Sequence, residues 1–481
     1  MLLTAPENLP AAKPWQPRIV TGLLYLFYAA LVISSRQLGF FWDSILLASR
    51  YGQWYYETNF SSVFVPETIA GYPPLFGMLM ALSWKLFGKT LLVSHLVILP
   101  FALGIVHQVL SLCRKFGPEN LAPFAALLLL ADPTLMAQCT QVAPDVLLVF
   151  FYLFSLNKIL ENKRAPLIFS LIFLSMLSPR GTIAAALLFC SDVAWYFLQA
   201  KENRPPFLKL FLSYVPAGLL ALGWQILHYQ HFGWIGYNPD SSWGAYTKFA
   251  GIMGMVRNTA IIIWRTLDFG RVFIWLSILI SGVILYRKKL KIPFPVKALF
   301  TLFLIPFLGF SVIFLPYTNP IGHRYYLVTF LLAALLAFYL LTLLPSGKVR
   351  RVLYGLMLLG LLSGHFWVYP EGFAKGWDAS LAHRPYFTLR HQAIQFLDKQ
   401  NIPLETVGSD YPNLSPLSQT DLLPDNRQFK PKNLKTDTYV LYSNVFNGFT
   451  DAEIQELKTS WVPVESWKRS QVFLILYKKP D

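Results

Sequence analysis

Residues 93–113 read VSHLVILPFALGIVHQVLSLC, a stretch without Asp, Glu, Lys or Arg that is followed directly by Arg114 and Lys115. About 20 helical residues cross the hydrocarbon core of a bilayer, which is roughly 30 Å thick. The stretch is therefore long enough for one crossing, and the two basic residues after it indicate the cytoplasmic end. It predicts a membrane-spanning helix of defined direction.

Similar apolar runs recur over the first three quarters of the 481 residues. The chain is 55% hydrophobic and 14% charged, with a mean hydropathy of +0.45, which is typical of membrane proteins rather than soluble domains. Inside lipid, only helices and closed barrels pair every backbone amide. The runs lack the period-two alternation of a membrane barrel, so they are predicted to be helices. We predict about eleven transmembrane helices, at 17–38, 93–113, 119–134, 144–160, 165–178, 181–200, 207–228, 271–287, 298–316, 325–344 and 352–369.

The net charge of +16 would suggest nucleic-acid binding in a soluble chain, but here the basic residues cluster in short segments beside the apolar runs. Placing all six clusters in the cytoplasm gives one consistent topology, with 1–16 inside and the C-terminus outside. The segment 75–87 is apolar but short, and as a crossing it would put Arg114 and Lys115 outside, so we interpret it as interfacial or re-entrant. The six clusters are Lys13/Arg18, Arg114/Lys115, Lys158/Lys163/Arg164, Lys201/Arg204/Lys209, Arg287/Lys288/Lys289/Lys291/Lys297 and Lys348/Arg350/Arg351.

The first apolar run is long and has no small-residue cleavage pattern at its end, so we expect a retained helix rather than a cleaved signal. The three cysteines show no metal-ligand or redox spacing, and a disulfide framework is not expected. The domains are then a transmembrane part over 17–369, with outer loops at 39–92 and 229–270, and a separate extracytoplasmic part over 370–481.

The C-terminal part changes composition and predicts a small α+β domain. Thr450 and Glu453 form a capping-box pattern that opens a helix through Lys458. The segments 438–443 and 472–477 are typical of strands, and the proline-rich segment 411–432 is interpreted as loop. The predicted fold class is an all-α polytopic membrane protein with this small outer domain.

Two acids open helices on the predicted outer side. Asp43 follows the first crossing, and a helix starting there would put Arg50 on the same face. Asp145 opens the helix at 144–160. Each acid has a structural alternative, because Asp before or within the first turn of a helix commonly satisfies its free amides.

Two cations interrupt apolar stretches at the same face: Arg180 in Pro-Arg-Gly, and Arg324 in His323-Arg324-Tyr325. An arginine at membrane depth tends to face a cavity or a partner, with snorkelling to the interface as the alternative. A guanidinium grips phosphate oxygens in a fork, so these residues are candidates to hold an anionic lipid headgroup.

Taken together, these residues resemble the membrane glycosyltransferases of the GT-C fold, particularly the branch of protein O-mannosyltransferases and aminoarabinose transferases. The resemblance covers about residues 17 to 345. It is carried by Asp43 after the first helix, Pro-Pro-Leu at 73–75, Ala-Pro-Asp-Val-Leu-Leu-Val-Phe-Phe at 143–151, Pro-Arg-Gly at 179–181 and Arg-Tyr-Tyr-Leu at 324–327.

The resemblance implies inverting transfer of a sugar from a polyprenyl-phosphate carrier to a protein, lipid or glycan at the outer face of a cell membrane, as in the bacterial inner membrane. It also implies interfacial helices in the first outer loop. Many relatives have His or Lys where this chain has Tyr72, and often Lys in place of Arg180. The resemblance implies that Asp43 is the general base and that Asp145 is a second catalytic acid, which orients the acceptor or binds metal. It implies donor-phosphate binding by Arg324, His323, Tyr325, Arg180 and Arg50. It implies a pocket lined by Tyr72, Pro73, Pro74 and Glu57.

Two alternative functions and one question about a metal cofactor remain open on the sequence. A transporter or flippase of lipid-linked sugar would also need outward cations, but it predicts charges along a path through the bilayer, for which only Asp192 and Lys158 are candidates. A membrane anchor for the outer domain leaves the aromatic first loop unexplained. A divalent cation is possible, and His228 and His231 have ligand spacing but no third ligand.

Overall fold

The structure is a computed structural model that describes residues 16–241, 244–371 and 376–480. The predicted cytoplasmic N-terminus, 1–16, lies outside the described residues except for Gln16. The helices of the described residues are α1 (Gln16–Ile33), α2 (Tyr51–Glu57), α3 (Leu75–Phe87), α4 (Leu91–Phe116), α5 (Ala122–Leu130), α6 (Pro133–Cys139), α7 (Pro144–Leu160), α8 (Arg164–Ser175), α9 (Pro179–Leu198), α10 (Phe207–Leu212), α11 (Val215–Phe232), α12 (Gly251–Leu267), α13 (Val272–Arg287), α14 (Phe294–Phe314), α15 (Leu327–Thr342), α16 (Gly347–Ser363), α17 (Pro385–Lys399), α18 (Leu417–Thr420) and α19 (Asp451–Ser460).

Five helical stretches of the described residues are long and apolar enough to cross a membrane, or up to seven if each of two bent pairs counts as one crossing. All eleven predicted segments contain helix, but the number of eleven crossings is not confirmed. Helix α8, with 12 residues, is too short to span the core by itself. The five stretches are Leu91–Phe116, Pro179–Leu198, Phe207–Phe232, Phe294–Phe314 and His323–Thr342.

The two bent pairs depart from the predicted helices. The segment predicted at 119–134 is divided into α5 and α6, which meet at 72°, because Asp132 and Pro133 end one helix and begin the next. The other pair, α12 and α13, meets at 86°, and the region 229–270, predicted as a loop, contains a helix of 17 residues.

Helix α15 lies at the centre of the helical part. It packs against α5, α7, α13, α14 and α16, and residues 327–341 are all buried. A helix that is apolar on every side is covered by neighbouring helices or by lipid, and here the neighbours cover it. The short turn His323–Tyr326 that leads into α15 therefore places its side chains at one end of the helical core.

The first outer loop folds into a pair of packed helices. A π-helical turn, Ile45–Arg50, runs into α2, and α3 packs against both and against α4. The glycines at 52 and 77 permit this close approach, since a Cβ would lie 2.8 Å from a Trp84 ring atom at Gly52 and 2.6 Å from Tyr51 Cβ at Gly77. At 13 residues α3 is shorter than a crossing needs, in keeping with the interfacial or re-entrant interpretation.

The C-terminal region carries a five-stranded mixed sheet. Strand β1 is parallel to β2 and β3, β5 is antiparallel to β3 and β4, and the order is β2-β1-β3-β5-β4. Helix α17 packs on β4 and β5, and the capping box of Thr450 and Glu453 opens α19 as predicted. The segment 411–432, predicted as loop, contains α18 and β2. The strands are β1 (Val407–Ser409), β2 (Lys430–Pro431), β3 (Tyr439–Ser443), β4 (Val462–Arg469) and β5 (Val472–Lys478).

The C-terminal domain has its own hydrophobic core, separate from that of the helical part. Phe41 of the first outer loop belongs to this second core, where its ring stacks on His383 with centroids 5.1 Å apart. The backbone that carries Asp43 is thus held between the two cores.

Candidate active site

Arg324 lies among three carboxylates from distant parts of the chain. Its Nη2 donates a hydrogen bond to Asp43 Oδ2. Its Nη1 lies 3.9 Å from Asp145 Oδ2, and its Nε lies 3.6 Å from Asp378 Oδ2. The guanidinium therefore joins the first outer loop, α7 and the C-terminal domain.

Arg180 extends this cluster on the far side of Asp145. Its Nη1 donates to Asp145 Oδ1 at 2.5 Å, and its guanidinium carbon lies 4.5 Å from the centroid of the Tyr325 ring. Asp145 thus sits between two guanidiniums, and Tyr325 supplies an aromatic face to one of them. We call Asp43, Asp145, Arg180, Arg324 and Asp378 the charged cluster.

Local sequence explains how these side chains reach one end of the helices. Pro144 and Pro179 occupy first helical positions, where a missing amide costs nothing, and Asp145 and Arg180 follow directly in the first turns of α7 and α9. Asp43 precedes the π-helical turn, after Trp42 in a left-handed conformation with φ of 50°. The Trp42 carbonyl accepts a hydrogen bond from the Tyr411 hydroxyl.

The side chains of the charged cluster differ in their exposure to solvent. The side chains of Asp145 and Arg324 are 2% and 9% exposed, whereas those of Asp43 and Asp378 are 17% and 25% exposed. Only the latter two carboxylates keep an open side that a ligand could contact. Asp145 is positioned to hold the two arginines.

The cluster retains unused hydrogen-bonding capacity. Asp145 Oδ2 and Arg324 Nε are buried and have no hydrogen-bond partner among the described residues. Buried polar groups are normally hydrogen-bonded, so the Nε–H of Arg324 marks a donor that an acceptor group of a ligand could use. Among the described residues no backbone amide donates to the Asp43 carboxylate, so the structure does not use it as a helix cap.

Aromatic hydroxyls border the charged cluster. Tyr72 Oη lies 2.8 Å from Tyr237 Oη, and Tyr51 Oη accepts a hydrogen bond from the Tyr72 amide at 3.1 Å. Burial, together with the nearby Tyr237 and Asp43, raises the pKa of Tyr72, and burial raises the pKa of Tyr237 to about 12. Burial also raises the pKa of Tyr411. These phenols stay protonated at neutral pH and can donate hydrogen bonds.

The remaining predicted site residues lie around or apart from the cluster. Pro73 and Pro74 are buried at the start of α3 beside Tyr72, and Arg50 is half-buried near Tyr411. Glu57 ends α2 with its side chain 63% exposed and 3.7 Å from Lys89 Nζ. No described contact joins Glu57 to the charged cluster.

His323, predicted to bind the donor phosphate, faces another set of groups. Its Nε2 lies 2.6 Å from Asp268 Oδ2, its side chain is 2% exposed, and Arg265 Nη1 also contacts Asp268 at 3.4 Å. Asp268 further accepts hydrogen bonds from Tyr369 and Trp264. The neighbouring residues 323 and 324 therefore point into different networks.

Sequence reasoning missed Asp378 and the pair of Arg271 and Asp132. Asp378 carries no local signal, since nothing in its surroundings predicts contact with the helical part. Arg271 did carry one, because an arginine next to an apolar run needs a buried partner. Its Nε and Nη2 each donate to Asp132 at 2.8 Å, with the Arg271 side chain 2% exposed.

A metal site does not emerge from the described ranges 16–241, 244–371 and 376–480, which contain no group of three or more His, Cys, Asp or Glu arranged to hold an ion. His228 Nδ1 instead faces the Trp234 carbonyl at 3.0 Å, and His231 stacks on Phe64 with centroids 4.2 Å apart.

No family model and no curated protein matches the chain. A crystal structure of ArnT from Cupriavidus metallidurans bound to undecaprenyl phosphate matches with a TM-score of 0.53, over 96% of this chain and 98% of that chain, at 12% sequence identity. The chain has the fold of ArnT. This match confirms the GT-C fold expected from the sequence. The apolar helices indicate a multi-pass membrane protein.

Two further solved structures are similar at lower scores. ArnT from Cupriavidus metallidurans in the apo state covers 95% of this chain and 98% of its own at 13% identity, with a TM-score of 0.49. The oligosaccharyltransferase of Archaeoglobus fulgidus in the apo form covers 73% of this chain and 56% of its own at 15% identity, with a TM-score of 0.38.

Proposed function

We propose that this protein transfers a sugar from a polyprenyl-phosphate carrier to an acceptor at the outer face of the membrane, with inversion at the anomeric carbon. The observation that carries the proposal is the contact of an accessible carboxylate, Asp43, with a buried arginine, Arg324, on a chain with the fold of ArnT. The matched ArnT structure holds undecaprenyl phosphate, which is the class of carrier we propose here. The acceptor class, whether protein, lipid or glycan, stays open.

In the proposed reaction Asp43 accepts the proton of the acceptor nucleophile as general base. The nucleophile forms a bond to the anomeric carbon from the face opposite the carrier. The bond between that carbon and the phosphate oxygen breaks, and its electron pair leaves with the phosphate. Arg324 and Arg180 stabilise the charge that develops there, because guanidiniums bind phosphate oxygens through paired N–H donors.

Asp145 acts in this proposal as a positioning residue. Its contacts with both arginines and its low exposure leave it little access to a substrate. Tyr325 and Arg50 complete the donor side, and Tyr72, Pro73 and Pro74 line the pocket. His323 contacts Asp268 and Glu57 contacts Lys89, so this proposal assigns neither of them to the same ligand.

The distribution of charges along α7 supports the outer-face assignment. Asp145 stands at its first turn, and Lys158 at its last turn contacts Glu161, which also contacts Lys115 and Lys163. The charged cluster and a cluster of cytoplasm-type basic residues therefore occupy opposite ends of one helix. We accordingly place the N-terminus in the cytoplasm and the C-terminal domain outside.

The transporter alternative requires a polar path through the bilayer. Arg164, Asp192 and Tyr214 form a buried network, with Arg164 at the start of α8. The central helix α15 carries apolar side chains over most of its length, with Thr329 and Thr342 near its ends and Tyr339 bound to the Cys113 carbonyl. The buried polar side chains of α7 to α9 between the two sites, among them Tyr152, Ser155 and Ser191, are uncharged. The transferase proposal is favoured because the described residues offer no series of charges along that route.

The decisive test is Asp43→Asn, assayed as purified protein with labelled polyprenyl-phosphate sugars and candidate acceptors. Loss of the base predicts a fall in turnover of about 100-fold or more. Glu119→Gln, an exposed acid before α5, is the matched control and is expected to retain full activity. Turnover of Asp43→Asn close to that of the unmodified protein would contradict the proposed mechanism.

A further inference from the structure

Asp378 is a carboxylate that the C-terminal domain places inside the charged cluster. Its Oδ2 lies 3.6 Å from Arg324 Nε, an atom that otherwise has no hydrogen-bond partner. The preceding residue, Trp377, belongs to the core of the C-terminal domain, where its Nε1 donates to the Asn444 carbonyl at 2.9 Å. Two adjacent residues thus connect that core with the active site.

The backbone around Asp378 is fixed against α6 and the segment that follows it. Gln138 Nε2 donates to the Asp378 carbonyl at 2.9 Å, and Thr134 Oγ1 donates to the Ala379 carbonyl at 3.2 Å. Gly376 approaches His323 so closely that a Cβ there would lie 2.9 Å from His323 Cε1. Asp378 therefore occupies a defined position and not a freely moving surface one.

The charges of the cluster do not balance once Asp378 is included. Asp43, Asp145 and Asp378 are three carboxylates against the two guanidiniums of Arg180 and Arg324, which gives a net charge of −1 when all are ionised. A phosphodiester entering this cluster would bring a further negative charge into a partly desolvated place, which is unfavourable. Neutralising one carboxylate would remove that cost.

Hydrogen bonding indicates which carboxylate accepts the proton. Arg324 donates a hydrogen bond to Asp43, and Arg180 donates one to Asp145, so a proton on either acid would compete with a hydrogen bond from a guanidinium. No group of the described residues donates to the Asp378 carboxylate, whose side chain is 25% exposed. A proton on Asp378 would break no hydrogen bond, and the protonated group could donate to a phosphate oxygen.

We propose that Asp378 is a further ligand-contacting residue of the active site, and that it takes up a proton when the carrier phosphodiester binds Arg324. The inference rests on the proposed function. It makes the C-terminal domain a contributor to donor binding, and it couples binding of the anionic carrier to uptake of one proton from solvent.

The groups that face Asp378 act on its charge in both directions. Burial raises its pKa, Arg324 and Arg265 lower it, and Asp43 and Asp145 raise it, with the pKa raised overall. A bound phosphodiester would raise it further, since a neighbouring negative charge disfavours the ionised form. Between the pKa of Asp378 in the free protein and its pKa in the complex, affinity for the phosphodiester should fall by up to about tenfold for each unit by which the pH rises.

The test uses undecaprenyl methyl phosphate, a diester whose single charge does not change across the neutral range, and measures its dissociation constant over a series of pH values. In the unmodified protein affinity should weaken as pH rises. Asp378→Asn should bind with little pH dependence, and more tightly than the unmodified protein at alkaline pH. Asp378→Glu keeps a titrating group and should restore the slope. Asp398→Asn, an exposed acid of the same domain paired with Arg427, is the control and should keep the unmodified slope.

The outcomes separate this inference from the proposed function. An unchanged pH slope in Asp378→Asn, or weaker binding at every pH, would overturn the inference while leaving the donor site intact. Failure of the unmodified protein to bind the diester at any pH would overturn both. Melting curves without the diester establish that each variant is folded before it is compared.

Discussion

Arg324 is the residue on which the site geometry depends most. It contacts Asp43, which precedes it by 281 positions, and approaches Asp145 and Asp378 as well. A lysine could carry the same charge, but it could not meet several partners with a planar array of N–H donors. Arg324 therefore holds the carboxylates in place in the free site, and we propose that it also binds the phosphate.

Substitution of Arg324 by Ala or by Lys tests whether its planar array of N–H donors, and not its charge alone, binds the phosphate. Arg324→Ala removes charge and donors and should weaken binding of a polyprenyl phosphate by about 10- to 100-fold, the worth of hydrogen bonds to a charged group. Arg324→Lys keeps the charge and should lose less. The measurement is the dissociation constant of undecaprenyl phosphate for each purified variant, and equal affinity of the two variants would count against a bidentate role.

At the scale of elements, the bend between α5 and α6 lies beside the charged cluster, because α6 contacts the turns that carry Arg324 and Asp378. Asp132 accepts hydrogen bonds from the amides of Thr134 and Leu135 and so caps α6. The same carboxylate pairs with Arg271 at the bend between α12 and α13. One buried ion pair thereby joins both bent helix pairs.

Removal of one member of this pair should destabilise the fold. Arg271→Met leaves the Asp132 carboxylate buried without its partner, which is expected to cost about 3–5 kcal/mol. The double variant Asp132→Asn with Arg271→Met removes both charges and should regain part of that loss. Melting temperatures in detergent provide the comparison, and a double variant less stable than Arg271→Met would contradict this account.

At the scale of the whole molecule, the C-terminal domain is docked on the first outer loop through several contacts. Phe41 stacks on His383, Ser49 donates to the Gln419 carbonyl at 2.6 Å, and Gln53 Nε2 donates to the Ser418 carbonyl at 2.9 Å. These contacts lie next to Asp43 in the chain. Docking of the domain and placement of the proposed base are therefore linked.

The buried His383 makes this docking sensitive to pH. Burial lowers the pKa of His383 to about 4, below its ordinary value near 6.5, so the folded state keeps it neutral while the unfolded chain takes up a proton. Stability should therefore fall as pH drops from about 6.5 towards 4, by about 2 kcal/mol at pH 5 from this residue alone. Melting temperatures measured between those pH values should fall less for His383→Gln, and an equal fall in both proteins would refute the assignment.

Local patterns in the sequence predict much of this protein. The eleven apolar segments are helical, and the capping box of Thr450 and the strands at 438–443 and 472–477 appear close to their expected places. Asp43 and Asp145 open helices and Arg180 and Arg324 interrupt apolar stretches, which are local signals, and the structure brings these four residues together. Tyr325, which the resemblance implies, lies beside Arg180. Hydropathy, caps and charges at helix ends act within a few residues, so the sequence exposes them directly.

The tertiary structure alone decided the pairings. The sequence could not show that Asp378 joins Arg324, that His323 turns instead to Asp268, or that α12 meets α13 at 86°. Nor could it order the five strands of the C-terminal sheet. Each of these depends on groups that are distant in the chain, and the free energy that selects them comes from packing and charge pairing in the folded state. No local pattern records those partners.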